Sequence, residues 1–388
     1  MPDSLLEWIW LPTSLVLGVA FLTFGAEALV RGAARLALSI GVPSLVVGLT
    51  VVAFGTSAPE LVVSLQSTFA GQADVAVGNV VGSNIFNVLF ILGASALIVP
   101  LTVHRQLVRF DVPLMIVVSL VTLAIVWDGE IGRLEGTGLF VALVWYTIRT
   151  IMIGRRDQAR ENLERAAALP VGEELSIPAK PSVRMILIDL FLIGLGLGLL
   201  ILGSRWFVDG SVTIARIFKV SELVIGLTIV AAGTSLPEVA TSLMAAWKGE
   251  RDLAVGNVVG SNIFNITCVL GLAGMLAPAG IAIAPAAREF DVPMMVAVAL
   301  ACVPIFFTGQ AIERWEGGLF LFHYVVYTTY LVVNARDAVA GAQMQWVILV
   351  VLLPLTILLL IASSLYQGAR PGTTVPATDG GSTAKPGT

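Results

Sequence analysis

Glu60 and Glu238 sit where carboxylates are costly. Each closes the same short motif, Gly55-Thr56-Ser57-Ala58-Pro59-Glu60 and Gly233-Thr234-Ser235-Leu236-Pro237-Glu238, near the middle of a long apolar segment. Glycine and proline break a helix there, and freed backbone groups at membrane depth cost several kcal/mol unless they line a cavity. An ionised carboxylate adds roughly 2.5 to 3.5 kcal/mol even on a mild insertion scale. Two symmetric costs of this kind point to one shared cation site. A capping box is the alternative, because Ser57 and Glu60 have the S-x-x-E spacing that satisfies the exposed amides of a restarted helix. The two roles can coexist, since a carboxylate has several lone-pair sites. Ser57, Glu60 and Ser64 follow at i, i+3 and i+7, as do Ser235, Glu238 and Ser242, so each set faces one way. Oxygen donors of this type suit hard cations rather than soft transition metals.

A second repeated element, Gly82-Ser83-Asn84-Ile85-Phe86-Asn87 and Gly260-Ser261-Asn262-Ile263-Phe264-Asn265, puts Ser and Asn four residues apart on what is expected to be another broken span. Asn79, Asn84, Asn257 and Asn262 also fit hydrogen bonds between neighbouring helices. Asp111 and Asp291, two residues before Pro113 and Pro293, are expected to cap span starts. Arg133 with Glu135, and Arg314 with Glu316, read as interfacial anchors. His323 reads as a packed, hydrogen-bonded histidine within a span, and His104 as a loop residue. Cys268 and Cys302 lie in apolar runs and form neither a disulfide framework nor a CxxC motif.

These residues need long apolar elements to hold them. Of the 388 residues, 57% are apolar and 12% charged, and the mean hydropathy of +0.93 is that of a chain embedded in lipid. A net charge of -4 offers no basic surface for nucleic acid. Spans of sufficient length fall near 9–30, 42–69, 75–99, 111–127, 136–153, 185–203, 221–247, 253–278, 291–308, 317–334 and 345–366. The first lacks the basic lead of a cleaved signal peptide and reads as a spanning helix. Residues 48–93 align without a gap on 226–271, an offset of 178 (226 minus 48), and Phe110-Asp111-Val112-Pro113 is answered by Phe290-Asp291-Val292-Pro293. Each repeat therefore holds five spans. Because five is odd, the second copy enters the membrane with opposite orientation.

The expected fold is thus an all-α integral membrane protein: a first inverted repeat over 1–153, a linker over 154–184, a second repeat over 185–334, one extra C-terminal transmembrane helix over 335–366, and a tail over 367–388. The tail's Gly, Pro, Thr and Ser cannot bury a core, so it is expected to be disordered. Orientation follows the positive charges. With the N-terminus outside, the first half and linker put Arg31, Arg35, Arg105, Arg109, Arg149, Arg155, Arg156, Arg160, Arg165, Lys180 and Arg184 in the cytoplasm against Arg133 outside, while the second half is balanced. The linker and C-terminal tail are then cytoplasmic.

The paired GTSxPE and GNVVGSNIFN blocks resemble the calcium/cation antiporter superfamily, in its sodium/calcium exchanger branch, across almost the whole chain apart from the eleventh span and tail. The resemblance implies ten core helices, a prokaryotic inner-membrane location and four oxygen-ligand sites between the repeats. It implicates Glu60 and Glu238 as the principal calcium and sodium ligands, with Thr56, Ser57, Thr234, Ser235, Ser83 and Ser261 around them. Backbone carbonyls of Ala53 and Ala231 would serve flanking sodium sites, and Asn87 and Asn265 would close the centre. Some relatives carry Asp at the last position; Asn265 removes that charge and alters the expected stoichiometry. Transported Ca2+ and Na+, and the lipid bilayer, are the expected partners, with no cofactor and no obligate protein partner. Two carboxylates neutralise one calcium ion, and sodium ions can replace it on the same oxygens, so exchange follows from mutual exclusion. The runner-up is a proton/calcium antiporter that protonates the two glutamates. A channel gains nothing from inverted broken helices, and no Ser/His/Asp, two-Asp or HExxH arrangement supports a hydrolase.

Overall fold

A computed structural model of the chain describes residues 5–167, 182–218, 231–278, 280–307 and 311–368. The first repeat comprises α1 (Leu5–Ile40), α2 (Ser44–Thr56) bent by 45° into α3 (Ala58–Phe69), α4 (Ala73–Ile98), α5 (Leu107–Asp128) and α6 (Arg133–Ala167). The second comprises α7 (Val183–Ile217), the short α8 (Ala231–Gly233) leading to α9 (Leu236–Trp247), α10 (Arg251–Leu276), α11 (Val292–Phe307) and α12 (Arg314–Arg336). The extra helix is α13 (Ala338–Leu360). Eight described helices are long and apolar enough to cross a bilayer, nine with the bent pair. The helix α6 runs on to Ala167, well past the point at which its apolar stretch ends. The first part of span 221–247, much of the linker and nearly all of the tail lie outside the described residues.

The repeats interlock through matched pairs of contacts. Short antiparallel strands join them twice, Leu101–Thr102 with Ala311–Ile312 and Glu130–Ile131 with Ile281–Ala282. Arg133 Nε donates to the carbonyl of Ala277, at the end of α10, at 3.2 Å, and Arg314 Nη2 donates to that of Ile98, at the end of α4, at 3.3 Å. Each arginine thus covers unpaired carbonyls at the C-terminus of the opposite repeat's helix, where a cation is also favoured by the helix dipole. Their neighbours Glu135 and Glu316 accept the Gly132 and Glu313 amides at 2.6 and 2.8 Å.

Lipid tails are as apolar as leucine, so helices here associate through close contact at small residues. A Cβ at Gly136 of α6 would come within 2.7 Å of the Gly271 carbonyl oxygen of α10. Gly136→Ala is therefore expected to destabilise the fold by about 1 to 3 kcal/mol. Gly138→Ala, on the exposed outer face with no atom within 4 Å of the added Cβ, should not. Thermal unfolding in detergent separates the two, and equal melting temperatures would refute this account of the α6–α10 contact.

α1 and α7 run antiparallel beside the rest of the bundle, with Gly18 against Gly203 and Gly25 against Gly196. At Gly194 and Gly198, on the outer side of α7, an added Cβ would meet no atom of the described residues within 4 Å. The pair sits unequally on the two repeats. α1 packs along α9, where Glu27 meets Lys248 at 3.1 Å, whereas the counterpart pairing of α7 with α3 is scarcely made. An inverted-repeat protein whose halves are arranged unequally stands in one of two arrangements related by exchange of the halves.

His323 is hydrogen-bonded as its position implies: Nδ1 lies 2.9 Å from the Leu319 carbonyl and Nε2 2.9 Å from Thr356 Oγ1, which joins α12 to α13. The capping expected of Asp111 and Asp291 is not observed. Helical backbone already runs through Leu107–Asp111 and Ala287–Asp291 as wide π-type turns, so no helix starts at either aspartate. Instead each accepts a tyrosine hydroxyl at 3.2 Å, Asp111 from Tyr146 and Asp291 from Tyr327.

Candidate functional site

Pro59 and Pro237 stand in the first turn of α3 and α9, where a missing N–H costs nothing. The breaks just before them bring the two motifs face to face. Glu60 and Glu238, each in the first turn of its helix, are fully buried. Ser57 Oγ donates to Glu238 Oε1 at 2.8 Å, and Ser235 Oγ donates to Glu60 Oε1 at 2.8 Å. The pairing is crossed: each serine serves the carboxylate of the other repeat. Neither Ser57 nor Ser235 caps its own helix with its side chain, so the capping box that the spacing allows is not formed.

The third helices, α4 and α10, supply a second layer. They are not broken at the GSNIFN element, as the sequence reading has it. They stay helical and widen to π-type turns over Asn87–Leu92 and Asn265–Leu270, a feature frequent at functional sites. Ser235 Oγ also lies 3.1 Å from Ser83 Oγ. Asn87 Nδ2 donates to Asn262 Oδ1 at 3.0 Å. Thr56 and Thr234 turn to the opposite repeat, donating to Asn257 Oδ1 and Asn79 Oδ1 at 3.2 Å each. The Ala53 carbonyl accepts the Ser57 amide at 3.0 Å. Ala231 opens α8 at the edge of the described residues.

Several buried polar atoms are left over. Among the described residues, Glu60 Oε2, Glu238 Oε2, Asn87 Oδ1, Ser261 Oγ and both polar atoms of Asn265 are buried without a hydrogen-bond partner. Buried polar groups in native proteins are ordinarily satisfied. These six atoms fall on the paired motifs of both repeats, and five of the six are oxygens of the kind that can take a hard cation.

Two asparagines complete the frame. Asn79 Nδ2 reaches the Glu60 carbonyl at 3.2 Å and Ser64 Oγ at 2.9 Å, and Asn257 Nδ2 reaches Ser242 Oγ at 2.9 Å. Each therefore ties the glutamate-bearing helix of its own repeat to the threonine of the other. Asn84 and Asn262 donate to each other's backbone carbonyl at 3.4 Å, the helix-bridging role that membrane asparagines often take. The Ser204 contact to Gly233 described below escapes sequence reading altogether, because the matching residue of the first repeat is Ala26.

A family model described as sodium/calcium exchanger protein matches residues 10–152 and 188–333. The inner membrane protein YrbG of Escherichia coli is 37% identical over 74% of this chain and 86% of its own length. The sodium/calcium exchanger MaX1 of Methanosarcina acetivorans is 32% identical over 82% of this chain and 97% of its own. A solved structure of the sodium-calcium exchanger NCX_Mj superposes with a TM-score of 0.69 at 28% identity, covering 83% of this chain and 99% of that one.

Proposed function

Because the chain belongs to the sodium/calcium exchanger family of membrane cation antiporters, we propose that it exchanges calcium for sodium by alternating access at the crossed glutamate site. The observation that carries this reading is the set of buried, unpartnered oxygens on Glu60, Glu238, Asn87, Asn265 and Ser261. Two carboxylates balance one calcium ion. The hydroxyls of Ser57, Ser235, Ser83 and Ser261, the threonines Thr56 and Thr234, and the carbonyls of Ala53 and Ala231 extend the oxygen surface over which sodium ions can spread. An empty dianionic site is costly to carry past a dry barrier, whereas either loaded form is nearly neutral. Exchange follows because the protein changes state only when occupied.

The α1–α7 pair is the part proposed to move, since it sits unequally on two otherwise matched repeats. With the N-terminus outside and the linker and tail in the cytoplasm, Lys248 lies on the cytoplasmic side and the arrangement described here is closed at that face. A C-terminal tag accessible from the extracytoplasmic side of intact cells would reverse the orientation.

Calcium uptake into proteoliposomes decides the coupling ion. An outward sodium gradient at equal pH on both sides is expected to drive uptake. Uptake driven by a pH gradient alone, and indifferent to sodium, would replace this reading with proton/calcium antiport.

A further inference from the structure

Neither proline can carry the preceding helix's hydrogen-bond ladder across its break. A helical N–H bonds the carbonyl four residues back, and proline has none, so Pro59 deprives the Gly55 carbonyl of its helix partner and Pro237 deprives that of Gly233. The two carbonyls are then met differently. At the first break the Ser57 amide of the cap goes to the Ala53 carbonyl at 3.0 Å, and no side-chain hydroxyl among the described residues reaches Gly55. At the second, the Ser204 hydroxyl of α7 donates to the Gly233 carbonyl at 2.6 Å, and Ser204 is 6% exposed. The offset of the repeats (204 minus 178) matches Ser204 with Ala26 of α1, which has no hydroxyl to offer.

α7 comes this close because Gly233 has no side chain; a Cβ there would lie 2.5 Å from a methyl of Val208, one helical turn beyond Ser204. The Gly233 carbonyl leads straight into Thr234 and into Ser235, whose hydroxyl holds Glu60. A continuous path therefore runs from the mobile helix pair to one of the two carboxylates. The ion pair of Glu27 with Lys248 joins the same pair of helices to the far end of α9.

We infer that Ser204 is a positioning residue for the exchange reaction. Its hydroxyl holds the second break, and hence Ser235 and Glu60, in the arrangement described here, and this bond breaks when the α1–α7 pair moves. In the exchanged arrangement α1 takes the place of α7 and presents Ala26 at the corresponding point, so the hydrogen bond weights the equilibrium toward the present arrangement. The inference rests on the alternating-access reading above, but its test does not depend on which ions are carried.

Spin labels on Phe218→Cys and Trp247→Cys, both positions being exposed, report the position of α7 against α9 in liposomes. The background carries Cys268→Ala and Cys302→Ala. Two distance populations are expected, and Ser204→Ala should move their ratio about fivefold away from the present arrangement, the weight of one ordinary hydrogen bond. In a Pro237→Ala background residue 237 has an N–H of its own for the Gly233 carbonyl, so Ser204→Ala should move the ratio by less than about twofold. Equal shifts in the two backgrounds would assign Ser204 to packing and overturn the inference. An unchanged ratio, or a single unshifted distance in every variant, would overturn it too. Sodium-driven calcium flux is measured on the wild-type protein alongside; its absence would count against the ion assignment alone.

Discussion

Glu60→Gln and Glu238→Gln, made singly, are each expected to fold and insert normally yet lose sodium-driven calcium uptake by about a hundredfold or more. Glutamine keeps the side-chain length, and its one carbonyl oxygen can still accept the Ser235 or Ser57 hydroxyl that now reaches Oε1. What changes is the other atom: the unpartnered Oε2 becomes an amide nitrogen, and one negative charge disappears. Calcium would then leave a net positive charge in a buried cavity. A single uncompensated charge at membrane depth costs roughly 2.5 to 3.5 kcal/mol on the mild scale, and each 1.4 kcal/mol is about a factor of ten in rate. A purely structural carboxylate would lose far less, since the serine contact survives. Asp111→Asn and Glu135→Gln provide the contrast. Asp111 accepts a tyrosine and Glu135 a backbone amide, and both acceptor functions survive in the amide, so uptake should stay within about threefold. Uptake near the wild-type rate in either glutamate variant would refute the two-carboxylate mechanism.

Much of this site is legible in the sequence, because the chemistry is duplicated. A GTSxPE motif that recurs at a fixed offset gives the two carboxylates, the broken helices and the inverted plan together. The crossing of the serines was not legible. Helical spacing says which residues of one helix share a face, and Ser57 and Glu60 do share one, but it does not say which face of the other repeat they meet. The capping box was a fair reading for the same reason: one spacing serves both, and only the opposing Glu238 decides that the Ser57 hydroxyl turns away from its own helix. The aspartates before Pro113 and Pro293 misled in another way. Proline at an early helical position shows that its N–H is dispensable, not that a helix begins there, and the wide turns through Leu107–Asp111 and Ala287–Asp291 keep the preceding residues helical. The same widening lets α4 and α10 carry Asn87 and Asn265 into the centre without a break. Wide turns leave no mark of their own in composition or spacing.

Asn265→Asp is expected to make calcium movement depend on a monovalent cation. Asn265 is fully buried, and neither its Oδ1 nor its Nδ2 meets a partner among the described residues, while its counterpart Asn87 gives its Nδ2 to Asn262. An aspartate there would add a third carboxylate to the proposed site. Two carboxylates and one calcium ion sum to zero; three carboxylates and one calcium ion leave one negative charge uncompensated. Carrying that charge past the barrier costs roughly 2.5 to 3.5 kcal/mol, or about two factors of ten. Calcium-for-calcium exchange by Asn265→Asp, measured without sodium or potassium, should therefore fall about a hundredfold, and adding either ion on both sides should restore it by returning the loaded site to neutrality. The Hill coefficient for sodium should rise by about one for the same reason. Asn265→Ala removes the amide without adding charge and should show no such monovalent dependence, which separates electrostatics from loss of a ligand. Should Asn265→Asp exchange calcium at the wild-type rate with no monovalent cation present, net neutrality of the loaded site could not be the condition for movement, and the barrier would have to be set by side-chain geometry instead.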